Sequence, residues 1–202
     1  MCAARNLAAH ATLYSPKFYD TRDQMIKAIV KPGAKICEVG VFRGEFALTL
    51  LSTRPAELHL IDPWEGLCSS GDADGNNVVN VDLSRVFESL PRDLKGPPSV
   101  LHRGFSQDIL PRFPDEYFDF IYIDGDHSYQ GAKRDLELAY KKLKPYGILA
   151  GHDYEINILK TSNLYDFGVG KAVNEFLEEH PSLSLDAKAL DGCVSFAIQK
   201  VR

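Results

Sequence analysis

The chain has 202 residues, is 45% hydrophobic and 25% charged, and carries a formal net charge of −5 with an isoelectric point of about 5.7. That length suits one domain with a core large enough to fold without disulfides or a structural metal, and the composition excludes a disordered or fibrous chain. No Lys/Arg cluster marks a nucleic-acid surface, and no apolar run approaches the roughly 18 residues of a membrane span.

The four cysteines, Cys2, Cys37, Cys68 and Cys193, form no C-x-x-C pair and fit no zinc template. A reducing, cytoplasmic compartment is therefore expected, and the start, Met1 to Arg5, lacks the apolar stretch of a signal peptide.

Residues 1–30 are expected to form an N-terminal helical extension of a single domain spanning 1–202, with a helical pattern from Asp20 to Val30. A strand-like run follows at Lys35–Val39, then a helix pattern at Glu45–Leu51 and a second run at Leu58–Ile61. A loop rich in Gly, Asp, Ser and Asn covers Ser69 to Asn77, and a helix pattern lies near Val81–Leu90. Next come a short run at Ser99–His102, a run at Phe118–Ile123, a helix over Tyr129–Leu143 and a run at Gly147–Ala150. The basic stretch Lys141–Lys144 falls where that last helix ends, so its charge complements the helix dipole. A helix near Val169–Glu179 and two more runs, around Leu183–Asp186 and Val194–Gln199, complete the chain. Strand–helix alternation predicts a parallel α/β sheet with helices on both faces. The short turn at Leu190–Gly192 predicts an antiparallel hairpin at one edge.

The segment Glu38-Val39-Gly40-Val41-Phe42-Arg43-Gly44 joins the first strand to a helix. Glycines there either let the backbone approach a ligand or simply make a tight turn. Asp62 ends the second strand, 22 positions after Gly40. An acid so placed either accepts hydrogen bonds from the ribose hydroxyls of an adenosine or caps the turn at Pro63. Trp64 next to it suits either stacking on a ligand ring or the core. The fourth strand ends in Asp124-Gly125-Asp126-His127 and the fifth in Gly151-His152-Asp153-Tyr154. In neighbouring parallel strands these ends gather Asp124, Asp126, His127, His152 and Asp153 over one rim. Clustered carboxylates repel unless a proton or cation compensates, and a divalent metal is the usual solution. Helix capping by Asp126 or Ser128, and a turn cap by Asp153, are the rival readings. The loop around Asp72-Ala73-Asp74-Gly75 lacks the twelfth-position ligand of a calcium hand, so that reading is rejected. This loop and the segment Glu155 to Phe167 are candidate substrate walls.

The segments Glu38–Phe46, Asp124–Asp135 and Leu143–Tyr154 resemble class I methyltransferases that use S-adenosylmethionine (SAM). They look most like the metal-dependent sugar group, the macrocin-, mycinamicin- and rhamnosyl-type O-methyltransferases. The resemblance implies a Rossmann-like sheet of seven strands, mostly parallel, in the order 3-2-1-4-5-7-6 with the last strand antiparallel. It implies a methyl group passed from SAM to a hydroxyl of a sugar or glycan. Residues 38–44, with Val41, Phe42 and Arg43 among them, would hold the cofactor, Glu38, Gly40 and Gly44 shaping the pocket for its methionine part. Asp62 would hold the ribose and Ser106 would lie near the adenine. Asp124 and Asp153 would bind Mg or Mn, and His127 matches a catalytic base. His152 stands where the group usually has a carboxylate, and a histidine there favours manganese or another transition metal over magnesium.

Three other readings compete. A nicotinamide-binding enzyme would need G-x-G-x-x-G after the first strand, where this chain has Val41 and Phe42. A SAM-binding module without catalysis is set against the intact acid/histidine rim. A catechol-like or other small natural-product acceptor is separated from a sugar by substrate trials. A homo-oligomer remains open, and neither nucleic acid nor membrane is expected as a partner.

Overall fold

A computed structural model of the chain describes residues 15–70, 79–155, 167–190 and 192–202. In chain order the elements are β1 (Lys17–Tyr19), α1 (Arg22–Ile29), β2 (Lys35–Val39), α2 (Glu45–Ser52), β3 (Glu57–Asp62), β4 (Leu67–Ser70), β5 (Val79–Asp82) and α3 (Leu83–Glu88). They continue with β6 (Ser99–Arg103), α4 (Ser106–Ile109), β7 (Phe118–Ile123), α5 (Tyr129–Lys142), β8 (Leu143–Glu155), α6 (Val169–Glu179), β9 (Ala187–Ala189) and β10 (Val194–Gln199). Among the described residues no helix is long and apolar enough to cross a membrane.

Eight strands form one sheet in the order β1-β9-β10-β8-β7-β2-β3-β6. All neighbours pair in parallel except β10, which runs antiparallel to β8 and β9. The order departs from the expected seven-strand one because Lys17–Tyr19, assigned to a helical extension, forms an edge strand beside β9. The amide of Lys17 donates to the carbonyl of Asp186 at 2.9 Å, which anchors this strand. The helix of the extension is α1, started by Thr21, whose hydroxyl accepts from the Gln24 amide at 3.2 Å.

The central strands β2, β3 and β7 are almost wholly buried, because helices cover both faces. Met25, Ile36, Leu50, Leu60 and Phe120 pack on one side, and Cys37, Ile121, Leu136 and Phe176 on the other. Three boundaries differ from the sequence reading. The strand expected at 183–186 begins at Ala187, because the Asp186 side chain, rather than its carbonyl, accepts the Gln199 amide at 2.6 Å. Residues 81–82, expected in a helix, close β5, and Asp82 caps α3 by accepting from the Ser84 amide at 3.0 Å. Ser69 and Ser70 lie in β4, which pairs antiparallel with β5. Residues 71–78 of the expected loop and 156–166 of the expected wall lie outside the described residues.

The fifth strand is also longer than the expected 147–150. β8 runs 13 residues, so His152 and Asp153 belong to the strand itself. Ile123 of β7 pairs with Gly151 of β8, which sets Asp124 beside His152 and Asp153. On its other flank β7 meets the loop after β2. Gly40 has φ +84°, and a Cβ built there would lie 2.0 Å from the Asp124 carbonyl oxygen. Only glycine lets these two strand ends close up, so the Gly40 turn positions Asp124.

Candidate active site

The carboxyl ends of β2, β3, β6 and β7 enclose a cavity of about 650 Å³, where open α/β sheets bind ligands. Its walls include the loop from Glu38 to Arg43, Asp62, Ser106, Asp124 and His127. Gly44, at φ +78°, starts α2 under that loop, where an added Cβ would strike a Leu94 methyl at 2.6 Å.

Asp62 organises this loop. One carboxylate oxygen accepts from the Val41 and Phe42 amides, both at 3.0 Å, and the other from the Trp64 amide at 2.8 Å. Three of about four lone-pair sites are thus used inside the protein. The turn-capping role is therefore real, and a ligand contact would add to it. Trp64 is core: it is fully buried, packs 5.1 Å from the Phe87 ring, and donates its indole N–H to the Phe42 carbonyl at 2.9 Å. Arg43 packs over the Phe42 ring at 5.0 Å.

Glu38 has 1% of its surface exposed, and its Oε2 has no hydrogen-bond partner. Burial, reinforced by nearby Asp124, pushes its carboxyl well above the usual range. At the other end of the cavity Ser106 donates to Asp135 Oδ1 at 2.6 Å. Asp135 is buried, and desolvation raises its carboxyl despite that hydrogen bond.

Of the residues expected at the rim, Asp124, His127, His152 and Asp153 come together. Ligand atoms of Asp124, His152 and Asp153 all lie within 4.8 Å of one another. His152 Nδ1 stands 3.3 Å from Asp153 Oδ2 and 3.9 Å from Asp124 Oδ1. His127 Nε2 bridges the same carboxylates, 2.9 Å from Asp153 and 3.3 Å from Asp124. Burial alone would lower its pKa, but the hydrogen bonds to Asp124 and Asp153 outweigh this and raise it to about 10. Asp153 is buried too, yet the hydrogen bonds from His127 and His152 hold its carboxyl far below the ordinary range. Asp153 also has φ +58°, a conformation that disfavours a side chain. Asp126 stands outside this cluster, because its Oδ1 accepts from the Ser128 amide at 3.0 Å while Ser128 caps α5. For Asp126 and Ser128 the capping reading is the correct one.

Two cavity residues escaped the sequence reading. Arg22 reaches in from α1, its guanidinium 3.3 Å from Asp124 Oδ2 and 4.5 Å from the centre of the Phe46 ring. A cation in a first helical turn, where the dipole disfavours it, was the available hint. Asp135 is an acid on the buried stripe of α5, between Gly131 and Ala139. A charge at a core position was its signal.

Fold and cavity together define a Rossmann-like methyltransferase fold. Residues 37–154, more than half of the chain, match a family model described as a methyltransferase domain, and the chain belongs to that family. Among solved structures it resembles an O-methyltransferase from Bacillus cereus in complex with S-adenosylhomocysteine, at 21% identity over 89% of this chain and 78% of that one, with a TM-score of 0.55. It also resembles TomG from Streptomyces achromogenes, an O-methyltransferase of tomaymycin synthesis in complex with SAM, at 19% identity, 89% and 77% coverage, and a TM-score of 0.59. A candidate rRNA methylase from Clostridium thermocellum gives 14% identity, 89% and 93% coverage, and a TM-score of 0.62. At these identities the likeness establishes the fold and leaves the acceptor open. No curated protein matches the chain closely enough to count as a relative.

Proposed function

We propose that this protein is a SAM-dependent O-methyltransferase that methylates a hydroxyl of a small-molecule sugar or glycan, assisted by a divalent metal. The observation that carries this reading is the convergence of Asp124, His152, Asp153 and His127 at the rim of a nucleoside-sized cavity. Two carboxylates and an imidazole within 4.8 Å are a donor set that suits Mn or Mg. The acid-rich rim suits vicinal hydroxyls, and the likeness of residues 124–135 and 143–154 to sugar O-methyltransferases supports the same acceptor. Within the cavity, Asp62 would hold the ribose, Ser106 and Asp135 would lie near the adenine, and the loop from Gly40 to Gly44 would hold the methionine part.

Methyl transfer from a sulfonium is an in-line displacement of an activated group, so the protein mainly aligns the reactants. Asp124, His152 and Asp153 would hold a divalent cation, whose Lewis acidity would lower the pKa of an acceptor hydroxyl, and with their charge so engaged Asp124 and Asp153 would hold the His127 proton less tightly. His127 Nε2 is the proton acceptor. After releasing its resting proton to solvent, it would take the one on the acceptor hydroxyl as the C–O bond forms. Asp153, 2.9 Å away, stabilises the imidazolium that results. The test is to incubate the protein with SAM, Mn or Mg and a panel of glycosides and catechols, and to read products by mass. A methylated glycoside formed only with metal supports the reading; methylation confined to catechols, or none with any metal, contradicts it.

A further inference from the structure

We propose that His59 and His102 form a one-proton latch between β3 and β6, which holds at neutral pH and opens when acid forces a second proton onto the pair. His59 Nδ1 and His102 Nε2 stand 2.9 Å apart, and the two rings stack with their centroids 5.1 Å apart. His59 is buried, and Phe113 meets both rings edge-on, 4.9 Å from His59 and 5.4 Å from His102. Tyr117 and Phe118 meet the His59 ring in the same way, at 6.1 and 5.6 Å. In such an aromatic cage water replaces a lost hydrogen bond poorly.

The far side of His59 fixes which nitrogen donates. Its Nε2 lies 3.0 Å from Glu57 Oε2. Glu57 also accepts from Lys35 at 2.8 Å and Tyr117 at 2.5 Å, and these partners keep it an ionised, acceptor-only carboxylate. His59 therefore donates from Nε2, its Nδ1 keeps a lone pair, and His102 donates to that lone pair from Nε2. One added proton preserves this N–H···N bond and makes it charge-assisted. A second proton puts hydrogen on both facing nitrogens, so the bond is lost and two cations face each other. Of the charged groups around the pair, Glu57 favours the first proton, while Lys35 behind it on β2 and Arg112 after α4 oppose the second. Burial first, then His59 and Arg112, lower the pKa of His102. The latch sits where the cavity wall is anchored. β6 is an edge strand lying against β3. β3 ends in Asp62, β6 leads to Ser106, and the Gly104 amide donates to the Asp62 carbonyl at 3.0 Å just beyond the pair. Losing the bond between the imidazoles loosens the strand that carries the Ser106 wall.

Imidazole nitrogen NMR on the full wild-type chain tests the pair without a variant. The two rings should take up one proton between them as pH falls from about 8 to 5.5, and resist the second until at least about one unit below the ordinary histidine value of about 6.5. Two rings that charge independently near that value in the folded protein would overturn the proposal. Urea unfolding then compares the wild type with His102→Gln, whose amide still donates to His59 but cannot take a proton. In acid the unfolded chain binds two protons at these positions and the folded pair one, so stability is lost as pH falls. From about pH 6 to 5 the folding equilibrium of the wild type should drop up to about tenfold per pH unit relative to the variant. Amide-exchange protection at Gly104 should fall with it in the wild type and hold in His102→Gln. A purely structural hydrogen bond would instead shift the variant equally at every pH. Parallel pH profiles of the two proteins, or wild-type protection at Gly104 that stays constant from about pH 7 to 5, would overturn the latch.

Discussion

Gly40→Ala separates a glycine that is needed for strand approach from one that is needed only for conformation. Gly40 has φ +84°, and the added Cβ would meet the Asp124 carbonyl oxygen at 2.0 Å and carbon at 2.4 Å. The left-handed backbone alone costs roughly 1–2 kcal/mol with a side chain. Restoring ordinary contact requires β2 and β7 to part by roughly 1.5 Å, an overpacking that costs about 1–3 kcal/mol more. The sum, roughly 2–5 kcal/mol, lowers the melting temperature by roughly 4–20 °C for a chain of this length. Gly33 is the internal control. It has φ +80°, and nothing lies within 4 Å of its added Cβ, so Gly33→Ala carries only the conformational part, roughly 1–2 kcal/mol. Thermal and urea unfolding of both variants measures the difference. Because Asp124 follows the pushed carbonyl, Gly40→Ala should also weaken Mn binding while Gly33→Ala does not. Equal destabilisation by the two substitutions would refute the claim that Gly40 sets the distance between these strand ends.

Three further outcomes follow from the same geometry. His127→Gln should retain S-adenosylhomocysteine affinity and lose about 10²- to 10⁴-fold in turnover, the usual share of a general base; turnover near wild type would remove His127 from proton transfer. Asp153→Asn should weaken Mn binding at least about tenfold, read by the electron paramagnetic resonance of free Mn, because it removes a ligand charge from the cluster; undiminished binding would place the metal elsewhere. Glu57 accepts from Lys35 at 2.8 Å, Tyr117 at 2.5 Å and His59 at 3.0 Å, which lowers its pKa to about 2. A folded-state value below the unfolded one contributes stability that is present above about pH 4.5 and lost as pH falls toward 2. Its side chain is 34% exposed, so screening reduces this to about 1 kcal/mol. Glu57→Gln should therefore flatten urea stability between those pH values, and an unchanged slope would show that the cluster contributes nothing.

Much of this site could be read directly from the sequence because its residues sit at strand ends. Asp62, Asp124, His127, His152 and Asp153 all follow or close apolar runs, and a parallel sheet brings such ends together whatever the details of packing. The same runs, buried on both faces, made β2, β3 and β7 plain. What escaped depends on contacts between distant segments. β1 is three residues, two of them exposed, and only its pairing with β9 makes it a strand. Arg22 enters the cavity because α1 packs against the sheet, which no local pattern encodes. The hold of Asp62 on the Val41 and Phe42 amides was hidden because backbone amides carry no side-chain signature. His127 looked like a base ready to act. Its two carboxylate neighbours, one of them 26 residues away in β8, hold its proton instead.

The central claim is that the cavity binds a SAM-type cofactor beside a metal site. The direct measurement is calorimetric titration of the full chain with S-adenosylhomocysteine, with and without Mn. The account predicts saturable binding of one ligand per chain, together with a separate Mn site that Asp153→Asn removes. Absence of binding in both conditions would contradict it.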